Sequence, residues 1–359
     1  MNFDLTDEQR AFQDSIANYL NDACTIPAVL ATFEAQSPPA LQYWSGLMEL
    51  GVGGLTIPEQ FGGFGLELLD LAAVVETAGR FVMPGPLIEH AMAAYAISLG
   101  GTEAQQARWL PDLASGRLRA TVALTEGQEG WMPGDWHMPC DDTLNGAKHY
   151  VPDALDADLI VVGLSGGRMA VVERGANGLE LTALPSLDGS RRLYQVTFNA
   201  TPAELLPAAQ ECAQRICDVG LVLLAADAYG GAKRCIEMSV EYARQRVQFG
   251  QQIGKFQAVK HQLADLAVEV EPAAGLYWYA AHAFDHERPD KASKAAALAK
   301  AHLTDVYTAA SRRMIELHGG IGYTWELGAH LWLKRAVFDH NYLGRPSLHR
   351  ARYASMAGW

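Results

Sequence analysis

The stretch ARQRVQFGQQIGKFQAVKHQLADL, residues 243–266, decides how the rest of the chain reads. A helical pattern runs into it and breaks at Phe249-Gly250, and a second helix begins around Phe256. Arg244, Arg246, Lys255 and Lys260 gather positive charge at the break. Phe249 and Phe256 add flat apolar surface, and Gln257 can both donate and accept hydrogen bonds. That set suits a phosphate-bearing aromatic cofactor. It is also the composition of a plain basic turn between helices with two core phenylalanines, and the stretch alone does not choose.

Working outward, residues 208–247 read as one helix about 60 Å long. Further helical stretches are expected at 255–285, 290–318 and 326–341. The second of these ends in ELHGGIGYTWE, residues 316–326, with three glycines in four positions. Such glycines can aim successive N–H groups at an anion, or simply cap a helix and turn the chain. Upstream, residues 118–202 change texture. TVALTEG, LNGAKHYVP, LIVVGLSGGRMAVVE and RLYQVTFNA are short strand-like runs punctuated by Gly and Asn. The first 117 residues are helical again. Thr6 and Gln9 form a possible capping box, followed by Phe12, Ile16 and Leu20 at helical spacing. A Gly-rich loop precedes a helix over Leu66–Ala78, and 84–113 is Ala/Leu-rich. The expected class is α+β. It comprises a helical domain (1–117), a small β-barrel or sandwich (118–202) and a C-terminal four-helix bundle (203–359).

The 359 residues carry a formal net charge of -13, which argues against a sequence-independent nucleic-acid binder. Five widely spaced cysteines without a CxxC pair suit neither a disulfide framework nor a metal site. The start MNFDLTDEQR lacks the basic and apolar runs of a signal peptide, and no apolar stretch reaches membrane-spanning length. A soluble cytoplasmic protein is expected.

Taken together and in this order, FDLTDEQ, LGVGGLTIPEQFGGFGL, ALTEG, LNGAKHYV, RVQFGQQIGKFQAVKHQLADL and LHGGIGYTWE resemble the acyl-CoA dehydrogenase family over essentially the whole chain. The resemblance implies FAD as cofactor and an acyl-CoA as substrate. A carboxylate would take the α-proton while the β-hydrogen leaves as hydride to the flavin. It implies that Leu124 and Thr125 meet the flavin ring, with Tyr150 and Val151 stacked against it. Arg246, Phe249, Phe256 and Gln257 would reach the diphosphate and adenosine of a neighbouring subunit's FAD. Gly319, Gly320 and Gly322 would lie beside them, near Glu316. A shared cofactor implies an oligomer, and an electron-transfer flavoprotein is the implied acceptor.

The chain departs from the family at its chemistry. The usual Tyr-Glu-Gly turn reads Tyr342-Leu343-Gly344, and the alternative glutamate position on the long helix is Gly220. Neither residue accepts a proton, a loss that typically costs 10²–10⁴-fold or more. Asp227 and Asp339 are weak substitutes by position. Glu316 stands where a glutamine is usual and would repel a diphosphate unless it turns toward Arg312 or Arg313. Pro152 replaces a small hydroxyl residue. Three readings stand. One is a subunit without its own base, as in heteromeric α2β2 members of the family. The others are a self-sufficient homomer using Asp227 or Asp339, and a non-catalytic acyl-CoA- or FAD-binding paralogue.

Overall fold

The computed structural model describes residues 5–34, 40–139 and 143–359. Cys140 and the first four residues, which open the FDLTDEQ match, lie outside the described residues. The capping box forms as read: Thr6 Oγ1 accepts from Gln9 N, Gln9 reaches back to Thr6 N, and α1 runs Asp7–Ala23. Ile16 and Leu20 are unexposed on its inner face. Helices α2 (Ile26–Glu34), α3 (Ala40–Glu49), α4 (Leu68–Arg80), α5 (Leu87–Gly100) and α6 (Glu103–Ala114) follow. The run 84–113 is thus two helices. Gly100-Gly101 ends the first, and Thr102 caps the second through Gln105.

Seven strands come next: β1 (Ala120–Ala123), β2 (Thr143–Pro152), β3 (Leu159–Gly163), β4 (Met169–Glu173), β5 (Leu179–Leu184), β6 (Leu193–Pro202) and β7 (Glu204–Leu206). They make two sheets, ordered β1-β3-β4-β7 and β2-β6-β5. Among the described residues only β1–β3 pairs in parallel. Ile160, Val162, Ala170 and Val172 of the first sheet share a core with Leu144, Val151, Val196 and Phe198 of the second. The strands continue past the expected limit at 202, because β7 pairs with β4 through Met169–Leu206.

The C-terminal part holds α7 (Ala209–Gln245), the hairpin β8 (Val247–Gln248)–β9 (Gln251–Gln252), α8 (Gln257–Val270) and α9 (Ala274–His286). After these come α10 (Pro289–His318), α11 (His330–Asn341) and α12 (Pro346–Ala357). The stretch expected as one helix over 255–285 is broken at Glu271–Ala273, where Pro272 has no N–H to give. Helix α7 is the axis of the molecule, buried on all sides from Ile216 to Ala232. It crosses α4 backbone to backbone. A Cβ on Gly230 would stand 1.9 Å from Glu76 O, and one on Gly79 would stand 2.2 Å from Asp227 O, so only glycine permits this approach. No helix among the described residues is long and apolar enough to cross a membrane.

Candidate active site

Helix α11 ends in the turn Tyr342-Leu343-Gly344, and two buried side chains hold that turn. Lys300 Nζ, from α10, donates to His340 O (3.0 Å) and to Gly344 O. His349, from α12, meets Leu343 O through Nε2 at 2.9 Å, while Arg352 Nη1 sits 3.1 Å from its Nδ1. A carbonyl only accepts, so Nε2 carries the proton. Burial pushes His349 down to about 3, which keeps the ring neutral, and pulls Lys300 down to about 7. Leu343 has φ 55°, a left-handed conformation that leucine rarely adopts. Its side chain is unexposed. It points at Gly220: a Cβ there would fall 2.5 Å from Leu343 Cδ1 and 2.6 Å from Met92 Sδ. Two positions 123 residues apart in the chain therefore meet at one point, and what fills it is leucine and methionine.

A cleft of about 1130 Å³ opens beside this turn, between the sandwich and helices α11 and α12. Tyr150, Trp131, Tyr342 and Phe338 form one wall. Their ring centroids step by 6.3, 5.2 and 5.0 Å. Lys334 and Arg345 bring positive charge to it. Leu343 lies behind Tyr342 and does not line the cleft.

The basic hairpin lies elsewhere. Arg246 and Gln257 are exposed, Phe249 is 92% exposed at the tip, and Phe256 packs edge-on against it at 6.1 Å. Tyr242, one turn before the hairpin, stacks on His318 at 4.3 Å. That stack joins the hairpin to the Gly-rich segment. Gly319 and Gly320 are exposed with open space around them, and Gly322 is buried under Ile315 O. Glu316 is turned aside as required, paired with Arg313 at 3.0 Å.

Comparison with known proteins gives the family. The pattern of the acyl-CoA dehydrogenase N-terminal domain matches residues 6–117, and that of the C-terminal domain matches residues 211–355. The chain belongs to the acyl-CoA dehydrogenase family. It is 32% identical to the acyl-CoA dehydrogenase IpdE2 of Mycobacterium tuberculosis over 95% of this chain and 94% of that protein. It is 31% identical to acyl-CoA dehydrogenase FadE34 of the same organism, over 95% of this chain and 46% of that longer one. Among solved structures, a chain of the Tcur3481-Tcur3483 steroid ACAD superposes with TM-score 0.90 at 30% identity, covering 98% of both chains. The protein is therefore a member of a family of oxidoreductases that act on CH–CH donors, and the cofactor of that family is FAD.

The residues expected to hold FAD in this acyl-CoA dehydrogenase fall into two groups. At the hairpin end, Arg246, Gln257, exposed aromatic surface and open glycine backbone are the donor set that a diphosphate and adenine call for. The ring end fits poorly. Leu124, Thr125 and Val151 are buried and off the cleft, and only Tyr150 lines it. The Thr125 hydroxyl donates to Glu129 O (2.6 Å), and Leu124 O is taken by Lys148 Nζ (2.7 Å). Pro152 has no N–H, and its carbonyl accepts from Thr121 Oγ1.

The two candidate substitute bases are also displaced from the cleft. Asp227 and Asp339 are 1% and 0% exposed, and neither lines it. They belong to a buried cluster where all three parts of the chain meet. Arg335 of α11 donates to Asp188 (2.7 Å), Ser190 Oγ (2.6 Å), Met83 O (3.0 Å) and Asp227 (3.4 Å). Arg191 donates to Gly85 O and approaches Glu89 (3.8 Å) and Asp227 (4.0 Å). With Asp153 and Asp339, five acids face two guanidiniums, so the cluster is neutral only when three acids keep their protons. Burial raises three of them: Glu89, Asp339 well above its usual range, and Asp153 to about 7. The carboxylates of Glu89 and Asp339 have no hydrogen-bond partner among the described residues. Sequence reading missed Arg335, Lys300 and Trp131. Periodicity shows which face a residue takes, but not which distant helix covers it.

Proposed function

We propose that this chain is the subunit of a heteromeric acyl-CoA dehydrogenase that carries no base of its own and completes the FAD site of a homologous partner. The observation that carries this reading is the contact between Leu343 and Gly220. Both places where the family keeps its glutamate converge there, and the space is filled by apolar side chains. A second distance supports it. Gly220 lies on α7 and Arg246 directly follows its last residue, 26 positions on, which is about 39 Å along the helix axis. One cofactor cannot touch both, so the hairpin serves a site on another chain. In that site Arg246 would pair with phosphate, Phe249 and Phe256 would present apolar faces to the adenine, and Gln257 would hydrogen-bond. The flavin, when bound, supplies the hydride acceptor, and the partner's carboxylate takes the α-proton.

The substrate class is a bulky acyl-CoA of the steroid side-chain type. This follows the steroid ACAD among the relatives. An electron-transfer flavoprotein is the acceptor, the cytoplasm the compartment, and 1–117, 118–202 and 203–359 the working domain division, with β7 joining the middle sheet from just beyond the second boundary. The homomeric alternative needs Asp227 or Asp339 as base, and both are held off the cleft in the arginine cluster. The test is turnover of an acyl-CoA panel by the purified lone chain with an artificial electron acceptor. No turnover alone, and turnover on adding an acid-bearing family partner, is expected. Turnover by the lone chain would sink the proposal. Activity lost in Asp227→Asn would then identify the homomer.

A further inference from the structure

One side chain closes the inner end of the cleft. Trp131 is 7% exposed although its loop, Glu126 to His137, borders open space. Its ring meets Tyr342 edge-on (5.2 Å, 73°) and leans over Tyr150 (6.3 Å, 37°). Behind it, Tyr342 stacks on Phe338 (5.0 Å, 20°). Four rings therefore run without a gap between the sandwich and α11. The loop is pinned at its base. Trp131 O accepts from Trp136 Nε1 at 3.4 Å, and Trp136 is buried against Gly163 of β3. Glu126 Oε1 accepts from His137 N, Met138 N and Lys148 Nζ. A planar ligand on the side of Tyr150 that faces Trp131 would compete with the indole for that space. The polar groups that could have bound its edge, Thr125 Oγ1 and Leu124 O, are spent inside the protein.

We propose that Trp131 is a built-in occupant of the ring-stacking slot on Tyr150 and excludes a flavin ring from this chain's own cleft. The proposal rests on the half-site reading above and explains how the chain keeps an arm for FAD while lacking a place for its ring. Edge-on and tilted aromatic pairs are favourable, and the two that Trp131 makes hold the indole in place against a competing ring. Removing the indole opens the slot and leaves Tyr150 and Tyr342 as its walls.

The experiment is a titration of the lone, flavin-free chain with FAD, followed by quenching of FAD fluorescence. Wild type, Trp131→Ala and Trp131→Phe are compared. The alanine variant is expected to bind FAD about tenfold tighter than wild type or more, with phenylalanine between. If neither variant binds FAD more tightly than wild type, Trp131 is a wall and not an occupant, and the proposal falls. Should circular dichroism show the alanine variant unfolded, the phenylalanine variant alone decides. Failure of the half-site reading would register separately, as acyl-CoA turnover by the lone wild-type chain.

Discussion

Leucine at 343 sits in a conformation it does not favour, held by donors to the carbonyls around it. The turn holds its left-handed backbone while the leucine side chain packs against Gly220 beside Met92. Lys300 is central to that hold. Replacing it with Met leaves His340 O and Gly344 O without their donor, which should cost about 1–3 kcal/mol in urea unfolding. Two buried groups also make stability depend on pH with opposite signs. Asp153 is raised from 3.8 to about 7 in the fold. Between those values the native state binds more protons than the unfolded chain, so stability falls as pH rises. Lys300 is lowered from 10.5 to about 7. Between those values the unfolded chain binds more protons, so stability rises with pH. Urea midpoints across pH 4 to 10 should therefore dip near neutrality. Asp153→Asn flattens the acid side of the dip and Lys300→Met the alkaline side; unchanged profiles in both would refute the assignment.

At the scale of elements, α11 ties the molecule together through Arg335, which contacts Met83, Asp188, Ser190 and Asp227. Arg335→Leu strands buried acids and should cost about 3–5 kcal/mol. Asp339 makes no such bond, and burial holds it protonated. Asp339→Asn is therefore expected to change stability by less than about 1 kcal/mol. Thermal melting separates the two, and equal losses would mean that Asp339 is a charged member of the cluster. The hairpin β8–β9 is the opposite kind of element, with its aromatic tip in solvent. Phe249→Ala should leave the melting temperature of the lone chain unchanged while reducing flavin retention in the complex. Retention equal to wild type would show that the tip does not reach FAD.

For the whole molecule, much was legible because it is local. The capping box at Thr6, the turn at Leu343 and the strand texture of the middle region each depend on neighbours in sequence, whereas α7 ends at Gln245, short of the expected 247, because Val247–Gln252 form a hairpin. Pro272 shows the limit of periodicity, since the apolar pattern continues across it while the helix does not. What stayed hidden is long-range. Lys300 sits in an alanine-rich run and would pass for a solvated lysine; only the packing of α11 and α12 over α10 buries it. Trp131 lies in a loop with no period to read. Arg335 resembles any helical arginine until Asp188 and Asp227 are brought to it. The most direct test of the half-site arrangement is the ratio of FAD to protein chains in the assembly isolated from its native source. One flavin per two chains, with a homologous acid-bearing subunit present in equal amount, is the expected result. One flavin bound to every copy of this chain, with no partner, contradicts it.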